Sequence, residues 1–144
     1  MITNIFKKKS KNVKDEKRLV LICALFIHAA KMDENYTDKE KSIILKALSD
    51  ISDNKEINLK FILEEAEKKE NQSNQILEFT REVKNSEKKF RIKILEVLWK
   101  IIYSDGVSDM YESSLMRRLS GLLYVTDKEA GDIKQLIIKS KTSR

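Results

Sequence analysis

An all-α fold, one compact bundle of about seven helices, is what this sequence predicts. Its 144 residues include no proline and only three glycines, whereas a sheet protein needs many tight turns built from Gly, Pro and Asn. Apolar residues recur at helical spacing through most of the chain. No stretch alternates convincingly with period two, so no strand is expected.

The elements follow in order. Residues 1–14 read as a flexible basic leader, 15–140 as the helical domain and 141–144 as a basic tail. The first helix is expected from about Asp15 to Met32. It is apolar on nearly every face from Leu19 to Ala30, which makes it central. The second starts near Thr37 and carries Ile43, Ile44, Ala47, Leu48 and Ile51 on one side, ending around residues 52–54. Leu59, Ile62, Leu63 and Ala66 mark a third, between Ile57 and Lys69. A break at residues 71–74 precedes a short fourth helix with Ile76, Leu77, Phe79, Thr80 and Val83. The fifth is expected from residue 85 or 86 to Ser104. Its wide apolar face of Phe90, Ile94, Leu95, Leu98, Trp99, Ile101 and Ile102 makes it the second central helix. The sixth, Asp109 to Leu123, has Leu115, Met116, Leu119, Leu122 and Leu123 as its stripe. The last begins at Thr126 with Ala130, Ile133, Leu136 and Ile137.

Composition excludes several classes. Apolar residues are 41% and charged residues 36%, a globular ratio with a heavily charged surface. The apolar run Leu19–Ala30 has twelve residues, short of the roughly 20 that cross a bilayer. The opening residues lack the apolar stretch of a secretory signal. Cys23 is the only cysteine, so no internal disulfide forms, and it reads as a small buried hydrophobe. A cytoplasmic location fits this usage. The net charge is +6, but residues 1–18 hold seven basic and two acidic residues, and 134–144 four basic and none acidic. That leaves 19–133 at −3. Nucleic-acid binding wants the positive charge on the folded body, so none is expected. Basic ends beside Ile2, Ile5 and Phe6 suit either a solubilising terminus or peripheral contact of residues 1–18 with an acidic partner or membrane surface.

Two parts of the chain share one organisation, which suggests an internal helix-loop-helix repeat. In each, an apolar helix leads into a loop and then into an amphipathic helix. Asp33 is followed seven residues later by Glu40, and Asp105 by Glu112. Thr37 with Glu40, and Asp109 with Glu112, fit the capping box, in which a glutamate three residues into a helix reaches back to the cap. Capping alone accounts for both glutamates. The aspartates are different. Both fall at the ends of apolar helices, where the dipole makes an acid unfavourable by roughly 0.3–1 kcal/mol. Thr126 with Glu129 is a third capping box, and Leu122 stands seven residues before Glu129, so capping does not require the upstream acid. A hard divalent cation such as Ca²⁺ or Mg²⁺ would, since it takes carboxylate and carbonyl oxygens. The loop is not an EF-hand, because Glu112 is eighth from Asp105 rather than twelfth. Caps with local hydrogen bonds, and caps with a cation, both remain open on this pattern.

The segment Phe79-Thr80-Arg81, the block from Leu95 through Trp99 to Asp105-Gly106, then Asp109, Glu112, Arg117-Arg118 and Leu122 to Asp127 resemble the TerB-like tellurite-resistance proteins. Ala29 through Asp33 to Glu40 is similar to the family's first repeat. The resemblance covers nearly everything from Leu19 to Lys134. It implies a compact fold of about seven helices, a role linked to tellurite-type stress resistance, and other stress-response proteins as partners. It also implies a metal site built from Asp33, Glu40, Asp105 and Glu112, with Asp38 and Asp109 as lesser candidates. Glu34 follows Asp33 where the family usually has glycine.

No catalytic apparatus is evident. His28, the sole histidine, lies on the apolar first helix and reads as a satisfied ring. It lies five residues from Cys23, about 140° away around a helix, so the two do not pair. Gly106, Gly121 and Gly131 are scattered rather than gathered in a phosphate loop, and no small-molecule substrate is indicated. The expectation is a non-enzymatic, cation-binding helical module. Its rival is a metal-free interaction module whose basic end meets an acidic partner or membrane.

Overall fold

The computed structural model describes the backbone of residues 2–32, 36–52, 56–72, 76–103 and 110–142, and the side chains of 15–32, 36–52, 56–72, 77–103 and 114–139. The described residues form seven helices and no strand. They are α1 (Ile2–Met32), α2 (Asp38–Ile51), α3 (Leu59–Gln72), α4 (Ile76–Lys84), α5 (Lys88–Ile102), α6 (Met110–Leu122) and α7 (Asp127–Thr142). None of the described helices is long and apolar enough to cross a membrane.

The expected all-α class is what forms, with one large change at a boundary. α1 begins at Ile2, not near Asp15, so the segment expected as a leader continues the central helix. Nothing between Met1 and Lys31 breaks a helix, for there is neither proline nor glycine, and lysine is a good helix former.

The helices alternate in direction. At one level, Arg18 of α1 donates to Ser86 Oγ at 3.1 Å and lies 4.4 Å from the Phe90 ring centroid. At the other, His28 of α1 meets Phe79 and Lys31 meets Glu70. So α3 climbs beside α1, α4 descends from Phe79 to Ser86, and α5 climbs again. Arg91, early in α5, donates to the carbonyls of Leu123 and Tyr124 at 3.2 and 3.1 Å, which brings α6 down to the same base. Lys88 pairs with Glu129 at 2.8 Å there, and Lys134 reaches the Trp99 ring higher up, so α7 climbs along α5. α1 and α5 therefore run in the same sense. Both deliver their last turns to one end of the bundle.

The core explains why these two helices are central. In α1, Leu19, Ile22 to Ile27, Ala29 and Ala30 are all buried; in α5, Ile94, Leu95, Val97 to Trp99, Ile101 and Ile102. A helix apolar all round has to be surrounded. The remaining helices each bury one stripe, such as Ile44, Ala47 and Leu48 in α2 or Ile62 and Ala66 in α3.

Helix ends are set by local chemistry. Asn58 Oδ1 accepts from the Lys60 and Phe61 amides at 3.1 and 3.2 Å and so starts α3. α6 stops in a Schellman turn. Val125 N donates to Ser120 O at 2.9 Å and Tyr124 N to Gly121 O at 3.2 Å, with Tyr124 left-handed at φ 56°.

The capping box of α7 is complete. The Glu129 carboxylate accepts from Thr126 N at 3.1 Å and Thr126 Oγ1 at 2.9 Å, while Glu129 N donates back to Thr126 Oγ1 at 3.1 Å. The Lys88 ammonium, followed by the two Thr126 donors, holds the Glu129 carboxyl down at about 2, against an ordinary 4.5. A carboxyl depressed on folding stabilises the protein above its unfolded pKa, and that stabilisation disappears as pH falls through the folded value. Glu129→Gln is therefore expected to lose less stability than the parent chain between pH 4.5 and 2, read as urea midpoints across that range. An identical acid profile for both proteins would remove Glu129 from the account.

Candidate functional site

The end of the bundle to which α1 and α5 climb is the candidate site. Both helices end there, and so does α3. Of the four acids expected to hold a cation, Glu40 is the one whose side chain is described. It is 3% exposed in the first turn of α2. Its carboxylate accepts from Thr37 N at 3.1 Å and from the Thr37 hydroxyl, the expected capping box. Asp33 and Asp105 lie outside the described residues, as does Asp109. Glu112 belongs to α6, but its side chain lies outside them too. Asp38 is exposed beside the cap. Among the described residues no three His, Cys, Asp or Glu side chains gather to hold a metal.

What the described residues do form at this end is a polar network that binds α1 to α3. Glu70, 6% exposed, is its hub. Lys31 Nζ donates to Glu70 Oε2 at 2.6 Å and to Asn71 Oδ1 at 2.8 Å. His28 Nδ1 lies 3.3 Å from Glu70 Oε1, so the ring donates when its proton is on Nδ1. One turn earlier in α3, Glu67 Oε1 accepts from the Tyr36 hydroxyl at 2.9 Å. Lys41 Nζ stands 5.1 Å from the Tyr36 ring centroid, within cation–π reach. His28 also meets the Phe79 ring edge-on, with centroids 6.0 Å apart. The expectation of a satisfied histidine is met.

The electrostatics follow from this packing. Burial, and then the charge of Glu67, push the Cys23 thiol well above its ordinary range. A thiol held protonated is a poor nucleophile, so Cys23 acts as the buried hydrophobe the sequence suggested. Burial, with the hydrogen bond to Glu67, also raises the Tyr36 hydroxyl. Tyr36 stays a donor, and Glu67 stays its acceptor.

The sequence did carry a sign of Glu70. Ile62, Ala66 and Glu70 recur every four residues, so Glu70 stands on the buried stripe of α3, which Glu64, Glu65 and Glu67 do not share. A buried acid on an apolar stripe needs hydrogen-bonding partners, and Lys31 and His28 supply them. The network fixes the last turn of α1 directly before Asp33.

Searches against curated proteins and against solved structures found no match. The family model described as Tellurite resistance protein TerB matches residues 19–135. That range opens at Leu19, the first buried residue of α1 among those whose side chains are described, and closes inside α7, so it takes in the core apart from Ile137, the capping box of α2 and the Glu70 network. On this match over most of its length, the chain belongs to the TerB family of tellurite-resistance proteins.

Proposed function

We propose that this tellurite-resistance-related helical module binds a divalent cation at the end of the bundle where α1 and α5 terminate, and that binding ties the two helix pairs together. The carrying observation is topological. α1 and α5 climb in the same sense from a shared base at Arg18 and Phe90. Both segments with the Asp-to-Glu spacing of seven therefore leave from the same end. Asp33 and Glu40 from one, and Asp105 and Glu112 from the other, would supply the carboxylates. Glu40 fits that use. It is a buried carboxylate held in place by Thr37. An ionised carboxylate offers about four acceptor positions, so capping and cation binding are compatible. The cation supplies charge neutralisation and a cross-link between loops. Ca²⁺ and Mg²⁺ suit an all-oxygen donor set.

No catalytic step belongs to this reading. Its output is a change in the stability and shape of one end of the domain, presented to other stress-response proteins in the cytoplasm.

Thermal unfolding after chelation, titrated with Ca²⁺ and Mg²⁺, tests the proposal. A ligand binding only the native state stabilises by about 2.7 kcal/mol at a hundredfold excess over its Kd. One ion is expected to raise the midpoint, with the gain lost in Asp105→Asn and in Glu112→Gln. Glu40→Gln keeps a capping acceptor but loses the charge. It is expected to leave the metal-free midpoint nearly unchanged while weakening the cation response. No response to either ion in the parent chain would reduce the glutamates to helix caps.

A further inference from the structure

We propose that the first turns of α1 form an amphipathic helix that lies on an anionic lipid bilayer and carries the folded domain to the membrane surface. The proposal is independent of the cation and of the acidic loops. Residues 2–14 also lie outside the family match over 19–135, so the segment belongs to this chain rather than to the family pattern.

Three observations converge. First, α1 is helical from Ile2 while the other elements turn back at the level of Arg18, as its contacts with Ser86 and Phe90 show. Ile2 to Lys14 thus continue the helix by about 20 Å at 1.5 Å per residue. Second, the helical register sorts this segment. At about 100° per residue, Ile2, Ile5, Phe6, Val13 and Val20 fall within an arc of about 100°, broken by Lys9 and Glu16. Lys7, Lys8, Lys11 and Lys14 fall opposite. Third, the arc runs onto an exposed part of the folded body. Val20 and Lys17 share a groove of about 400 Å³ with Phe61, Lys68 and Lys69 of α3, alongside Glu16, Glu65 and Gln72. Phe61 is 47% exposed there.

Charge decides the occupant. Residues 1–18 hold seven basic and two acidic residues. An apolar stripe combined with a polybasic face is the two-part signal that holds a helix in a headgroup layer, where neither part suffices alone. Lys9, inside the apolar arc, is accommodated at an interface by extending its stem toward the headgroups. In a closed protein groove it would be buried.

Co-sedimentation of the full chain with phosphatidylcholine vesicles, with or without about one-third phosphatidylserine, tests this. Binding is expected only with phosphatidylserine, and it weakens as salt rises. Ile5→Glu with Phe6→Glu is expected to weaken it about tenfold or more, with the thermal midpoint of the body unchanged. Lys7→Gln with Lys8→Gln and Lys11→Gln is expected to weaken it similarly. Should the Glu pair disturb folding, Ile5→Ser with Phe6→Ser gives a second reading that leaves the charge unchanged, in which weaker binding supports the proposal and unchanged binding overturns it. Absence of binding to phosphatidylserine vesicles overturns it, as does binding that ignores Ile5 and Phe6. Capture of the segment by polyglutamate regardless of Phe6 would instead assign it to acidic proteins and overturn the lipid assignment.

Discussion

Phe79→Ala is expected to destabilise the protein by about 3–5 kcal/mol, the usual range for emptying a phenylalanine site in a core. Phe79 is fully buried and is the largest apolar side chain that α4 contributes. α4 is nine residues long, too short to persist by itself in water. It stays in place because Phe79, Thr80 and Val83 face the interior. Removing the ring vacates the space beside His28. Urea unfolding should show a lower midpoint with an unchanged slope, since the exposed surface on unfolding is the same. Leu77→Ala is the control. Leu77 is 60% exposed on the same helix, and its loss should change stability by about 0.5 kcal/mol or less. Equal costs at the two positions would mean that α4 is not packed as described.

Glu70→Ala is expected to cost about 2–3 kcal/mol. The variant removes the acceptor of the His28 ring, 3.3 Å away, and that of the shorter Lys31 Nζ bond, 2.6 Å away, while Lys31 keeps Asn71 Oδ1 at 2.8 Å. Hydrogen bonds to charged groups contribute about 1.5–3 kcal/mol each. The sum is smaller here because the Lys31 side chain is 36% exposed and recovers water. Glu70→Gln keeps the size and one acceptor, so it should cost about 1 kcal/mol. The cost of Glu70→Gln measures what the charge adds, and the gap between the two variants measures what the shape and the remaining acceptor add. Native-state hydrogen exchange adds a local reading, because the last turn of α1 should open more readily in Glu70→Ala while mid-helix amides near Phe26 follow global stability. A Glu70→Gln variant as stable as the parent chain would mean that the charge contributes nothing.

These residues show how far the sequence could be read. Helix identities were legible because each is stated locally. The apolar stripe of α2 and the Thr-x-x-Glu boxes at Thr37 and Thr126 lie within a few turns of themselves. Even the direction of α1 and α5 follows once short links force alternation. The hub at Glu70 was harder. Its partners lie 39 and 42 residues away, and no periodicity spans such a distance. Only the misplaced acid on the α3 stripe pointed to it. The start of α1 failed for another reason. Lysine favours a helix by propensity and a solvated tail by charge, and residues 2–14 follow the propensity. Of the candidate cation site, the glutamate that also caps a helix is the part the fold displays.

The order of α1 in the chain has a consequence for synthesis. α1 emerges from the ribosome before the helices that cover it, α3, α4 and α5. Until residues near 100 are free of the exit tunnel, the nine buried α1 residues from Leu19 to Ala30 have no complete shelter. Non-local closure of this kind slows folding and leaves apolar surface open to wrong partners. A nascent chain halted after α2 would be a substrate for holding chaperones, and one extended through α5 would release them.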